Sequence, residues 1–340
     1  MSAQANEADP GRWSRRLGGG WILLLLIALI VTFSVLRPHA FPSVYNLTTL
    51  AVDAAILLVL ALGQTFVIIT AGIDLSVGSV LVFASVIGAR VMLAIGGASG
   101  GSFGTTDASW GVVALGTVAA ILAGMLWGAV NGVLVAVARI PALIVTLGSM
   151  GMALGFAQIV TGGLDVRAVP ELLVDHVGTG TIFGIPVLIL IAVIVTVLAA
   201  VLLHLTRFGS RTFAIGSSAE AARRAGIPVQ WQTVQIYALA GGLAGLGGVM
   251  ALARFSTTTI GGHTADNLTT ISAVVLGGTS LFGGVGSIAG TVIGVFIPIV
   301  LLNGFVIIGI PPFWQTVTMG AVLVLAVYID QLKRRARQRS

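Results

Sequence analysis

The chain has 340 residues, of which 57% are hydrophobic and 8% charged, with 46 glycines and no cysteine. A soluble domain carries about 25% charged residues, so the composition excludes an ordinary soluble fold and points to an all-α, polytopic helical membrane protein. The lack of cysteine removes disulfides and thiolate chemistry. The net charge of +6 lies on the flanks of apolar spans, which makes membrane lipid, and not nucleic acid, the expected contact.

In chain order, residues 1–19 form an N-terminal tail with Arg12, Arg15 and Arg16 just ahead of WILLLLIALIVTFSVL. This mimics a secretory signal, but no small-x-small cleavage pattern follows, so an uncleaved first span is expected. Taking about 20 apolar residues per crossing, a transmembrane domain over 20–330 divides into about ten spans. They fall near 20–37, 48–70, 75–95, 111–137, 142–161, 184–205, 232–253, 267–283, 286–305 and 311–329. The eighth, LTTISAVVLGGTSLFGG, is short, polar at its start and glycine-broken at its end. It reads as a discontinuous or re-entrant segment as readily as a full crossing.

Ten spans put both termini on one side, and the basic residues agree. Arg139, Arg207, Arg211, Arg223, Arg224 and the tail at 331–340, with Lys333, Arg334, Arg335, Arg337 and Arg339, join the N-terminal arginines on one face. Only Arg37, Arg90, Arg167 and Arg254 fall toward the other, so both termini are expected in the cytoplasm. The glycine- and serine-rich loop 96–110 and the loop 162–183, which carries Asp165, Glu171, Asp175 and His176, then lie outside.

Glycines recur four apart: Gly124, Gly128 and Gly132; Gly151 and Gly155; Gly241 and Gly245; Gly286, Gly290 and Gly294. Each set would let another helix backbone come close. A weak internal echo is also present. Asn131-Gly132, Ile140-Pro141 and Thr146-Leu147-Gly148 return as Asn303-Gly304, Ile310-Pro311 and Thr318-Met319-Gly320, five spans later. Copies that run in opposite directions make an inverted repeat, as in many transporters.

Between the sixth and seventh spans, within a cytoplasmic loop at 206–230, lies SSAEAARRAGIPVQ. Ser217 followed by Glu220 reads as a capping box. Ala219, Ala221, Ala222 and Ala225 favour helix, Arg223 and Arg224 suit its last turn, and Gly226 with Pro228 ends it. Two turns are not stable alone in water. The small, alanine-rich face suits a protein groove better than lipid.

This AEAARRAGIPV stretch resembles the coupling helix of ABC-importer permeases. TAGIDLSVGS (70–79), NGVLVAVARIPALIVTLGSMGMALG (131–155), FGSRTFAIGSSAEAARRAGI (208–227) and AVVLGGTSLFGGVGSIAGTVIG (273–294) are similar, more narrowly, to the ribose/xylose/arabinose-type sugar permeases of such importers. The resemblance runs from about residue 45 to the C-terminus. One departure is clear: where that family usually has Glu-Leu-Asp before AVVLGG, this chain has Asn267-Leu268-Thr269, with Asp266 one step earlier.

The resemblance implies a bacterial inner-membrane permease subunit that pairs with a second permease subunit and a separate cytoplasmic ATPase. It would receive a monosaccharide from an external solute-binding protein. ATP and Mg would be bound by the ATPase, with no cofactor in this chain. Consistent with that, no G-x-x-x-x-G-K-[ST] phosphate loop occurs and the single lysine is Lys333. Ser217, Glu220, Ala221, Ala222, Arg223, Arg224 and Gly226 are the expected coupling residues.

Polar residues within spans mark a candidate solute path: Gln64, Asp74, Asn131, Asn267, Thr279 and Ser280, with Asp53, Gln158 and Asn303 as further candidates. For Asp74, an N-capping role ahead of Ser76 is the stronger expectation. A permease of the same superfamily for a branched-chain amino acid, nucleoside or autoinducer stays open. So does an ion-coupled transporter using Asp53, Asp74 or Asp266. A channel lacks a repeated filter motif here. An intramembrane enzyme lacks a ligand cluster, with His39, His176, His204 and His263 scattered along the chain.

Overall fold

A computed structural model describes residues 10–96, 108–263 and 265–339. Most of the 96–110 loop lies outside this description, as do residues 1–9 and the side chains of Arg12, Arg15, Arg16 and the five basic residues of the C-terminal run.

The protein is a helical bundle. Helix α1 spans Pro10–Leu36, α2 Val44–Ile69, α3 Val77–Gly96, α4 Trp110–Ala136 and α5 Ala142–Thr161. After a short turn, α6 (Glu171–Leu173), which continues into a π-type turn at Val174–Gly178, two-residue strands β1 (Thr181–Ile182) and β2 (Ile185–Pro186) form an antiparallel hairpin. Then come α7 Val187–Leu205, α8 Arg207–Ser217, α9 Ala219–Arg224, α10 Val229–Phe255, α11 Asp266–Leu276, α12 Ile288–Ile308 and α13 Pro312–Arg339. Among the described residues, seven helices (α2, α3, α4, α5, α7, α10 and α12) are long and apolar enough to cross a membrane. Apolar stretches at Ile22–Leu36 and Phe313–Leu325 lie within α1 and α13.

Three features sharpen or change the expectation. The eighth span is a half-length helix: at 1.5 Å per residue the 11 residues of α11 cover about 16 Å, half of a hydrocarbon core. Non-helical chain follows at 277–287. The terminal tails expected at 1–19 and 331–340 are in part helical, because α1 already begins at Pro10 and α13 continues to Arg339. Arginine and alanine are good helix formers, so polarity at 331–340 ends the apolar span without ending the helix. Finally, FGSRTFAIGS folds as a helix of its own, α8.

Helix α2 is the axis of the bundle and is buried along almost its whole length. Around it the echo in the sequence has a structural counterpart. Helix α4 lies along α10 as α12 lies along α2, and α3 packs on α4 and α5 as α11 packs on α12 and α13. Asn131 and Asn303 occupy the matched helices α4 and α12, and the Ile-Pro pairs precede α5 and α13. The copies are antiparallel: α2 ends beside α8, where Gly284 N donates to Ile69 O at 2.8 Å. Helix α10 starts there, with Gln232 Nε2 donating to Phe208 O of α8 at 3.1 Å.

The glycine sets account for the closest seams. A β-carbon on Gly124, Gly128 or Gly132 would overlap the α10 backbone at Gly241, Tyr237 or Val234, and one on Gly241 would overlap Gly124. Gly290 and Gly294 meet Gly277 and Ala273 of α11 in the same way. Gly148, Gly151 and Gly155 of α5 have nothing within 4 Å of such a carbon. Only a narrow strip of α5 is buried, through Val145, Thr146, Ser149, Ala153, Ala157 and Thr161.

Candidate functional site

Two regions bring the sequence-predicted residues into relation. The first is the α8–α9 projection. Thr206 caps α8, accepting from Phe208 N and Gly209 N. Phe208 stacks toward Phe66 of α2 at 6.0 Å between ring centres, so α8 is seated on the bundle.

The cap of α9 is one residue later than predicted. Ser218, with extended backbone, accepts from Ala221 N at 3.2 Å. Ser217 instead ends α8 and donates back to Phe213 O at 3.0 Å. Either serine of the doublet can cap. The longer α8 claims the first, so the reciprocal Ser217–Glu220 box does not form. Glu220 turns along its own helix to Arg223 Nη1 at 3.3 Å and Arg224 Nε at 3.1 Å. Exposed pairs of this kind add little stability. At the other end Gly226 takes φ +80°; its N–H donates to Arg223 O, and Ile227 N to Ala222 O, each at 3.0 Å. This doubly bonded stop satisfies two terminal carbonyls. Of α9 only Ala222 is buried. Glu220, Ala221, Arg223 and Arg224 are exposed, with Ser217, Ser218 and Gly226 at its ends. A helix of six residues thus stands off the bundle, held by its caps and one alanine.

The second region is the non-helical stretch 70–76 between α2 and α3. Buried Asp74 accepts from Ser76 N at 2.8 Å and Ser76 Oγ at 2.6 Å. Asp74 therefore makes a polar turn ahead of α3 and not the expected N-cap itself, since α3 begins at Val77 and the preceding position is Ser76. Asn131 of α4, buried, donates to the same Ser76 Oγ at 3.1 Å. Asn267 of α11 accepts from Gly78 N at 2.6 Å. It caps α3 from another helix, satisfying an orphan amide of the first turn. Asp74, Asn131 and Asn267 are thus assembled around the α3 N-terminus. The sequence reading missed three neighbours. Ser76 is the shared hub. Thr146 of α5 reaches Ile73 O at 3.1 Å. Tyr237 of α10 lies with its hydroxyl against Gly72, buried and without a hydrogen-bond partner among the described residues. The Asp-x-Ser spacing carried the signal for Ser76; the other two are nonlocal.

The remaining candidates lie elsewhere. Gln64 is fully buried in α2, and neither amide atom has a partner among the described residues. Thr279 is buried in the 277–287 loop, its hydroxyl likewise without a partner among them. Ser280 shares that loop, where its amide donates to Val285 O at 3.0 Å. Asn303 is held in a reciprocal amide pair with Asn46 of α2, at 2.9 and 3.1 Å. Asp53 faces Arg254 of α10 at 3.6 Å, Asp266 faces His263 at 2.7 Å, and Gln158 is exposed on α5.

Comparison with known proteins agrees with this architecture. The family model described as branched-chain amino acid transport system / permease component matches residues 46–327. The ribose import permease protein RbsC of Escherichia coli K12 is 36% identical over 316 residues, covering 92% of this chain and 93% of that protein. The L-arabinose ABC transporter permease protein AraH of Azospirillum brasilense is 33% identical over 332 residues, covering 96% and 93%. The fructose import permease protein FrcC of Rhizobium meliloti is 31% identical over 320 residues, covering 92% and 85%. No solved structure matches. With a match across most of its length and seven long apolar helices, the chain belongs to the permease-component family of branched-chain amino acid transport systems, as a multi-pass membrane protein.

Proposed function

We propose that the chain is the membrane subunit of an ATP-driven ABC importer for a monosaccharide. The observation that carries this is the set of relatives named for ribose, arabinose and fructose import over more than nine-tenths of the chain. A second permease subunit would complete the path, and α5, largely open and glycine-lined, is the face we assign to it. A separate ATPase, carrying ATP and Mg, would dock on α9. Its exposed Glu220, Ala221, Arg223 and Arg224, its capped ends and its single buried residue suit a helix that inserts into a partner's groove. A solute-binding protein would deliver cargo on the opposite face. The path would use the polar residues of the 70–76 region, with Asp74, Asn131 and Asn267, together with Gln64, Thr279 and Ser280.

The test is reconstitution in liposomes with the ATPase and binding protein, following labelled ribose, arabinose, fructose and leucine. ATP-dependent uptake of a sugar, abolished by Glu220→Arg at unchanged permease level, is the expected result. Uptake of leucine alone would move the cargo class. Uptake without ATP that collapses with the proton gradient would replace the mechanism by ion coupling.

A further inference from the structure

Residues 69–76 are gripped at both ends. At the α2 end, Gly284 N donates to Ile69 O at 2.8 Å. A β-carbon on Gly216, in the last turn of α8, would overlap both that carbonyl and Gly284 N. Gly283 and Gly284 take φ of +82° and +74°; β-carbons there would press on Gly216 O, Ala71 and Ser217 Oγ. The last turns of α8 and α2 and the 277–287 loop therefore meet largely backbone to backbone at Gly216, Ile69 O and Gly284, with the Ser217 and Ile69 side chains packed beside the junction.

At the other end the stretch meets α5. The Thr146 hydroxyl has two carbonyl acceptors, Ile73 O at 3.1 Å and Ala142 O of its own helix at 2.9 Å. A hydroxyl has one proton, so the two carbonyls compete for it or share it. Just past that contact, Ser76 donates to Asp74 and accepts from Asn131 of α4. The α4–α10 seam is closed by backbone contact and cannot give, whereas α5 is held only along its narrow buried strip. A push arriving at Ile69 is thus passed on most easily to α5.

We propose that residues 69–76 are a rod that carries the displacement of α8–α9 to α5, with Gly216 as its input contact and the Thr146 hydroxyl as its output. Both are positioning residues, and the proposal rests on the importer reading above. It gives the ATPase a route to the open face of the permease that bypasses the rigid α4–α10 pair.

The experiment uses the full importer in lipid, with a fluorophore on Ile144→Cys. Ile144 is exposed on α5 in the isolated chain, on the helix assigned above to the second permease subunit, and the chain has no other cysteine. The ATPase is trapped with ATP and vanadate. The label in the otherwise unaltered protein shifts on trapping. In Gly216→Ala and in Thr146→Val the ATPase still traps, but most of the shift is lost. Thr146→Ser, which keeps the hydroxyl, restores it. If Gly216→Ala does not fold, the Thr146→Val and Thr146→Ser pair decides. A normal shift in Thr146→Val, or no shift in the unaltered protein despite trapping, overturns the rod. Failure of the unaltered permease to bind any ATPase overturns the importer reading itself, and the rod with it.

Discussion

The amide pair between Asn46 and Asn303 allows a quantitative test of how the two halves are joined. Asn46 Nδ2 donates to Asn303 Oδ1 at 3.1 Å, and Asn303 Nδ2 donates to Asn46 Oδ1 at 2.9 Å. Interhelical hydrogen bonds in membrane proteins contribute about 0.6 kcal/mol on average and about 1.7 at most. Two bonds therefore give about 1.2 kcal/mol with a ceiling near 3.4. Asn303→Leu removes both and leaves the Asn46 amide half-buried and short of a partner, which costs about 1–3 kcal/mol. Asn46→Leu costs more, because Asn46 also donates to Phe41 O at 2.9 Å. The double variant, leucine against leucine, restores apolar packing. It should be less destabilised than the sum of the singles by about 1 kcal/mol. Titration of purified protein with sodium dodecyl sulfate in bicelles reads all four corners of the cycle. Additivity within about 0.3 kcal/mol would refute the pair as a bond across the α2–α12 seam.

Other outcomes follow from the same contacts. Gly128→Leu drives a side chain into the Tyr237 carbonyl and should abolish folded yield in detergent. Gly151→Leu, facing open space, should leave the isolated chain folded; equal yields would refute the seam. Ser218→Ala removes the α9 cap, worth about 1 kcal/mol, so ATPase affinity measured by pull-down titration should fall about five-fold, while Ser217→Ala leaves it unchanged. The reverse pattern would restore Ser217 as the cap. Glu220→Gln, which breaks only exposed ion pairs, should shift thermal stability by less than about 0.5 kcal/mol.

What could be read in advance divides along a physical line. Local signals were sufficient for the stop of α9, where Gly226 supplies a backbone region that other residues adopt only at a cost, and for the weakness of the eighth span, where polar residues and glycines flank a short apolar run. The glycine spacing of α4, α10 and α12 announced close seams, although the same spacing in α5 meets nothing within 4 Å among the described residues. The serine doublet misled by one residue, because cap choice depends on where α8 ends, and α8 itself was hidden in FGSRTFAIGS, whose glycines argue against helix. Asn267 capping α3, Thr146 reaching Ile73 and the junction of Gly216, Ile69 and Gly284 join residues far apart in sequence. No local pattern encodes them. The path candidates Asp74, Asn131 and Asn267 were chosen for polarity alone, and their gathering at one helix end is a property of the tertiary fold.

The α4–α10 seam has a mechanical consequence. Contacts made by glycines and carbonyls have no rotamers to exchange, so their formation costs no side-chain entropy and there is no intermediate packing for them to visit. Such a pair has one geometry or none. A transport cycle needs at least two arrangements of the same chain, and this seam supplies neither the slack nor the alternatives. It acts as the fixed abutment, and the work of opening falls to those helices whose contacts are made by side chains able to hop between partners.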